Sequence, residues 1–421
     1  MSDLSPTRPL APRPVPPRPE TLYGVTGTNG KTTTTTLISF VLRRLGHETA
    51  HSTTLETRIC GEPTPIVAFQ ELMQACAERG VPNGVCEVTS RSLARGMSIR
   101  TPFDIAVFTN FTRDHMETHG NAENYLAAKA SLFATLRSWP ADAPRRSVAV
   151  LNGEDPATPL ILLVTRADTR LYTFGFAPTP LPGCVEGRPS THFWAEDLDI
   201  DGARTQFTLH ASPLAEPVRL TVQLTGRHMV ANVMAALAAL HGAGHRLEDL
   251  IGPVSEFLGV RGRFEQVPGP SGAPSVFVDF AHTPDGLKCA LEAARAVATR
   301  APGGRVTVVF GAGGGFDPGK RPQMGAVAAA LADLVIVTSD NPRHEAPAEI
   351  ARQIRLGAVG PHVVTVLNRE AAIRRAISGR KAGDVVLIAG KGHELTQTIG
   401  GRTLPFSDIA AARLAFNAIS R

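Results

Sequence analysis

"LYGVTGTNGKTTTTTLISF" (residues 22–40) sets three glycines, one lysine and a run of threonines between two apolar stretches. Residues 21–26 read as a strand, and 30–45 as a helix that starts in the threonines. Threonine is a mediocre former of helix interiors but suits a helix start, where free N–H groups want partners. Between strand and helix, "GTNGKT" (27–32) is a phosphate loop in kind. Gly27 and Gly30, with Thr28 and Asn29 between them, leave backbone N–H groups open to oxyanions. Lys31 can reach terminal phosphates, and the Thr32 hydroxyl can ligate Mg2+ with Thr33 beside it. Val25 stands where the common G-x-x-x-x-G-K-[ST] has its first glycine. The strand, the helix and the complete GKT favour a nucleotide site over a plain glycine turn. Thr34 to Thr36 need be no more than a helix face.

The chain has 421 residues, enough for two or three domains. Its 43% apolar content is that of an ordinary globular protein. No apolar run approaches the roughly 20 residues of a membrane-spanning helix. The net charge is +5 and shows no basic stripe interleaved with aromatics. A mildly basic enzyme for anionic substrates fits, and neither nucleic acid nor membrane is expected as a partner. Cys60, Cys76, Cys86, Cys184 and Cys289 are scattered and form no CxxC pair. That argues against a disulfide framework or zinc site and for a reducing, cytoplasmic setting. "MSDLSPTRPLAPRPVPPRPE" lacks the apolar core of a secretory signal, and its proline density favours extended, solvated chain. Residues 1–20 are therefore expected to form a disordered tail.

"DIAVFTN" (104–110) and "SVAVLNGEDP" (147–156) are short strands ending in polar loops. Between 190 and 225 the pattern becomes that of antiparallel strands joined near Asp201-Gly202, and the helix "MVANVMAALAALHGAG" follows. From about residue 261 strands and helices alternate again: "VFVDF" (276–280), "VTVVF" (306–310), "LVIVTS" (334–339), "VVTVL" (363–367) and "VVLIAG" (385–390). The expected fold is α/β, a P-loop domain with a parallel sheet over 21–260 and a C-terminal Rossmann-like α/β domain over 261–421. Ligands in such sheets sit beyond the carboxyl ends of the strands. Here those ends carry "AHTPD", "GAGGGFDPGKRP", "DNPRHE" and "GKGHE".

GTNGKT, "EVTSRS" (87–92), "FTNFTRDHMETHG" (108–120), "NYLAAKASLF" (124–133), "LTGRHMVANVMAAL" (224–237), "GRFE" (262–265), "VDFAHTPDGL" (278–287), "SDNPRHEAP", "AGKGHE" and "FSDIAAAR" (406–413) occur in that order. Together they resemble the Mur ligase superfamily, most of all its UDP-N-acetylmuramoyl-tripeptide synthetase branch, over roughly residues 21–415. The resemblance implies a central ATPase domain and an ATP-dependent carboxylate–amine ligation. A carboxylate attacks the γ-phosphate, becomes an acyl phosphate and is then captured by an amine. Two anions must approach each other, so cations must screen them.

By the same resemblance Glu87 holds Mg2+, His115 binds a second Mg2+, and Asn110 and Asp114 shape the turn between them. Lys129, which its helical spacing alone would make a surface lysine, matches a lysine carbamylated by CO2. A carbamate offers oxygen ligands where an ammonium would repel the metal. Asn232 matches an adenine contact and Arg263 an ATP contact. His282, Asp317 and Lys320 are expected at ribose or phosphate from the second domain. Asp340, Asn341 and Arg343 of DNPR, with Gly390 and Glu394 of GKGHE, match the pocket for the incoming amino acid. Arg343 suits a bidentate grip on a carboxylate.

Some positions depart from the family pattern. Its "GGDRDKGKRP" is here "GGGFDPGKRP", with Phe316 for an arginine; Arg91 replaces a histidine and Met229 an asparagine. The family also carries an N-terminal domain for the UDP-sugar, on the order of 100 residues, where this sequence has the proline-rich segment. The expectation is unchanged nucleotide chemistry with altered substrate ends. The partners implied are a small-molecule carboxylate acceptor and an amino acid, with a partner protein as one possible source of the acceptor site. A folylpolyglutamate synthase-like or amino-acid-polymer ligase, a non-catalytic nucleotide-binding subunit and a P-loop kinase are the competing readings.

Overall fold

The computed structural model describes residues 17–419, apart from positions 141, 186 and 213. The expected tail falls outside the described residues over 1–16. Its last part is not free chain: Arg18 donates two hydrogen bonds to Asp104, at 2.8 and 3.0 Å, and both side chains are nearly buried.

The first α/β unit is built on one eleven-stranded sheet. Its centre is Thr21–Thr26, flanked in parallel by Asn83–Glu87 and Ile105–Phe108. Tyr23, Val25, Val85 and Val107 face the helix Lys31–Arg44 through Leu37, Ile38 and Val41, all buried. This near-continuous apolar content is what a strand covered on both faces requires. Parallel pairing extends through Val148–Asn152 and Arg170–Gly175 to Ser190–Asp201. There it turns antiparallel through Arg204–Ala211 and Val218–Val222. The hairpin joined at Asp201-Gly202 thus extends the same sheet. The sequence pattern shows the hairpin but not the edge on which it adds.

The second unit is built on a six-stranded sheet. Ser275–Asp279, Val385–Ala389, Val306–Phe310, Leu334–Val337 and Val363–Thr365 lie parallel in that spatial order. Glu265–Val267 is antiparallel at one edge. A separate hairpin, Thr396–Ile399 with Arg402–Pro405, is not evident in the sequence pattern. Arg369 and Asp408, both fully buried, pair at 2.7 and 2.8 Å. The same guanidinium donates to the carbonyls of Ser339 and Ala389, at 3.2 and 2.9 Å. It thereby ties together the strand ends from which DNPR and GKGHE depart. Among the described residues all five cysteines are free thiols, and no helix is long and apolar enough to cross a membrane.

Candidate active site

Two glycines set the loop between Thr26 and Lys31. Gly27 and Gly30 have φ of +152° and +84°, values that L side chains rarely adopt. A Cβ would lie 1.9 Å from Thr109 Oγ1 at Gly27 and 2.3 Å from Asn232 Oδ1 at Gly30. Asn110 holds the loop from the neighbouring strand end. Its Oδ1 accepts from the Asn29 N–H at 2.8 Å and its Nδ2 donates to the Asn29 carbonyl at 3.1 Å. Lys31 Nζ donates to the Thr28 carbonyl at 2.8 Å.

The Thr32 hydroxyl donates to Glu87 Oε2 at 2.9 Å. That oxygen also accepts from the Thr54 N–H and hydroxyl at 3.2 and 3.3 Å. From the second unit Arg263 Nη2 donates to Thr32 Oγ1 at 3.2 Å. Arg263 Nη1 is buried with no partner, and its guanidinium lies 4.4 Å from the Phe280 ring centroid. A buried, unpaired donor of this kind is costly unless a ligand satisfies it.

Lys129 is only 1% exposed. Its Nζ donates to the Gly27 carbonyl at 2.6 Å and sits 4.2 Å from the Tyr125 ring centroid. Burial, and then the charge of Lys31, pull its ammonium well below the usual lysine range, against the opposing pull of Asp114 and Glu87. Lys31 is lowered as well, chiefly by burial. Both amines face the same cavity of about 1160 Å3, as do Thr32, Glu87, His115 and Arg263.

Asp114 does not cap a helix. The turn Met116–His119 starts from His115, which has φ +57°. Asp114 Oδ2 instead lies 3.5 Å from His115 Nε2 and 3.7 Å from His282 Nε2, and its Oδ1 lies 3.7 Å from Lys320 Nζ. Burial works to raise its pKa, but the hydrogen bond and charge of His282, with His115 and Lys320, outweigh it and hold the carboxyl well below its usual range. Arg113 pairs with Asp317 at 2.9 Å, and Asn29 Nδ2 donates to Asp285 Oδ2 at 3.1 Å. Of the three residues expected at ribose or phosphate, His282 lines the cavity. Asp317 and Lys320 instead face Arg113 and Asp114 across the junction of the two units. Asn232 also lines the cavity; its Oδ1 accepts from Thr34 at 3.4 Å and its Nδ2 contacts Met229 Sδ at 3.8 Å.

The residues expected to meet the amino acid form their own corner, apart from the cavity lining. Asn341 Nδ2 donates to Glu394 Oε2 at 2.7 Å. Lys391, fully buried, donates to Asn341 Oδ1 and Glu394 Oε2 at 3.0 and 2.7 Å. A Cβ on Gly390 would lie 2.4 Å from Asp340 Oδ2, so glycine permits that approach. Arg343 has φ +53° and donates to the Gly314 carbonyl.

The sequence reading missed Thr54, Tyr125, Lys391 and His393. Lys391 and His393 stand inside the quoted GKGHE, so the motif was visible but their roles were not. The His393 Nδ1 is buried without a partner, and burial followed by the charges of Arg263 and Arg261 lowers its pKa to about 4. Thr54 meets Glu87 only through folding.

The donor set fits Mg2+, which takes oxygen ligands and fills its shell with phosphates and water. Thr32 Oγ1 and Glu87 Oε2 converge beside the phosphate loop. Among the described residues no three His, Cys, Asp or Glu side chains gather as a metal cluster.

Comparison with known proteins gives two family matches: the Mur ligase middle domain over residues 25–240, and the Mur ligase glutamate ligase domain over residues 262–392. The UDP-N-acetylmuramoyl-L-alanyl-D-glutamate--2,6-diaminopimelate ligase of Geobacillus kaustophilus is 38% identical over 407 residues, covering 94% of this chain and 78% of that protein. The protein of the same name from Thermosynechococcus vestitus is 40% identical over 404 residues, covering 94% and 76%. A solved structure of a ligase of that name superposes with a TM-score of 0.64 at 31% identity, covering 96% of this chain and 80% of that one.

Proposed function

This chain belongs to the Mur ligase family, and from that premise we propose that it joins an amino acid to a carboxylate acceptor in peptidoglycan precursor synthesis or a related pathway, through an acyl phosphate. The reaction class is ATP-dependent amide formation. The observation that carries the proposal is the convergence of Lys31, Thr32, Glu87 and Lys129 with Arg263, drawn from both α/β units, on one cavity.

Lys31 and the N–H groups of Gly27 to Gly30 bind the triphosphate, and Arg263 Nη1 takes an oxygen that satisfies it. Asn232 meets the base. Thr32 and Glu87 would hold one Mg2+ and His115 a second, and the ions would neutralise the phosphate charge that repels an incoming carboxylate. Lys129 reacts as the neutral amine with CO2 to give a carbamate and a proton, placing two further oxygens in the cavity; its depressed pKa supports this. Asp340, Asn341, Arg343, Gly390 and Glu394 hold the amino acid. Contacts across the junction, Asp114 with Lys320 and Arg113 with Asp317, keep the units closed so that water is excluded from the acyl phosphate.

The test is ADP and phosphate release with Mg2+ and ATP, scored for dependence on both an acceptor and an amine, with mass spectrometry of the product. UDP-N-acetylmuramoyl-L-alanyl-D-glutamate and a panel of amino acids and simpler carboxylates are the first substrates to try. An amide product is expected. A phosphorylated product makes the chain a kinase, and no amine-dependent turnover with any pair overturns the ligase reading.

A further inference from the structure

The corner at Arg343 carries more information than its motif. Arg343 is half-buried, and its backbone is fixed on both sides by the hairpin that follows GKGHE. Its N–H donates to Thr398 O at 3.0 Å, and its carbonyl accepts from Gly401 N at 3.2 Å. The guanidinium carbon lies 4.2 Å from the centroid of the Phe316 ring, and Nη1 donates to the Gly314 carbonyl.

Glycines make this approach possible. A Cβ on Gly314 would lie 2.0 Å from Pro342 O. One on Gly313 would press on both Phe316 Cδ2, at 3.2 Å, and Arg343 Nη1, at 3.3 Å.

No carboxylate among the described residues pairs with Arg343, and the nearby acids are committed. Glu345 is held by Arg321 Nη1 at 2.8 Å and by the Gly315 N–H. Glu394 is held by Lys391 and Asn341. The corner therefore presents one guanidinium that no carboxylate among the described residues neutralises, over a ring that is itself 36% exposed.

We propose that Phe316 is a positioning and specificity residue: it orients Arg343 to receive a single carboxylate, and its exposed ring edge takes the apolar carbons of an amino acid with no second carboxylate at this corner. The inference rests on the ligase reading for the identity of the ligand as the incoming amine, and on the geometry alone for its chemistry. A second carboxylate here would be desolvated beside a guanidinium already engaged by the first. A ring face also fixes a guanidinium without consuming its in-plane donors; Nη1 gives one N–H to the Gly314 carbonyl, and the Nε–Nη2 edge is left for a bidentate carboxylate.

The test measures amino-acid binding by calorimetry in the presence of ADP and Mg2+, so that it stands apart from turnover, and compares KM values where turnover occurs. L-Leucine and L-phenylalanine, with one carboxylate, are set against L-glutamate and 2,6-diaminopimelate, with two. The full chain is used as wild type, Phe316→Leu, Phe316→Trp and Phe316→Arg. Wild type is expected to bind the monocarboxylates roughly tenfold more tightly. Phe316→Leu should weaken them by roughly 3- to 30-fold while the KM for ATP stays put. Phe316→Trp should restore them, and Phe316→Arg should move the preference toward the dicarboxylates. Dicarboxylate preference in wild type, no binding of any of the four, or a Phe316→Leu variant that binds as wild type overturns the proposal. Loss of ATP affinity in parallel would show Phe316 to be merely structural. Binding without turnover would sink the ligase reading and leave the recognition result standing.

Discussion

Lys129→Ala is expected to lower kcat by about 10²–10³-fold or more, the scale seen when one preorganised electrostatic contact is removed from a site, with partial return of activity on adding acetate or formate. An ammonium 1% exposed and next to Lys31 has no carboxylate at contact distance among the described residues; its donor goes to the Gly27 carbonyl. In that form it adds positive charge to a cavity that must also take a metal, which is electrostatically wrong. The lowered pKa resolves the conflict, because it makes the neutral amine available. An ordinary lysine would present only about one neutral amine in 10³ at pH 7. A short carboxylate diffusing into the space left by alanine can supply the oxygens that a carbamate on Lys129 would provide. Lys129→Arg keeps the charge and length but cannot be carbamylated, so it should be inactive and refractory to the same carboxylates. Unaltered turnover of Lys129→Ala without additives, or equal rescue of the arginine variant, would refute the role. Mass spectrometry under CO2 gives a readout independent of rate.

The sequence discloses the phosphate loop because its chemistry is local: two glycines, a lysine and a hydroxyl within six residues. It discloses the parallel strands because burial on both faces leaves continuous apolar runs such as "VTVVF" and "VVLIA". Lys129 is different. Its helix spacing suits a surface residue, and only the packing of Ala122–Ala134 beside the loop buries it. Asp114 shows the same limit. The resemblance puts Asp114 in the turn before His115, but no local pattern shows that its carboxylate faces His282 and Lys320, over 160 residues away in sequence. Asp317 and Lys320 are read as nucleotide contacts from their motif, but their partners come from the other α/β unit. The hairpin after GKGHE is short and exposed, with little periodic signal, although it fixes the backbone of Arg343. Local patterns announce what a segment can do; which groups it meets depends on contacts that no local pattern carries.

Asp408→Ala is expected to cost about 3–5 kcal/mol, because it leaves the Arg369 guanidinium buried and unpaired. Urea unfolding followed by a probe in the second unit should show a lower midpoint. The consequence reaches the active site. Arg369 also donates to Ser339 O and Ala389 O, the carbonyls just ahead of Asp340-Asn341 and Gly390. A guanidinium that shifts to find water releases both loops at once, so the KM for the amino acid should rise while the KM for ATP, set by the loop at 27–32, changes little. A second variant separates stability from positioning. Arg369→Met with Asp408→Leu removes both charges and should recover much of the lost stability, since an apolar pair of similar volume often replaces a buried ion pair without loss. The two carbonyls would still lack the Arg369 guanidinium that ties them together, so the amino-acid KM should remain raised. If the single variant loses less than about 1 kcal/mol, or if the double variant restores the amino-acid KM along with stability, the buried pair is a packing element and does not position the substrate loops.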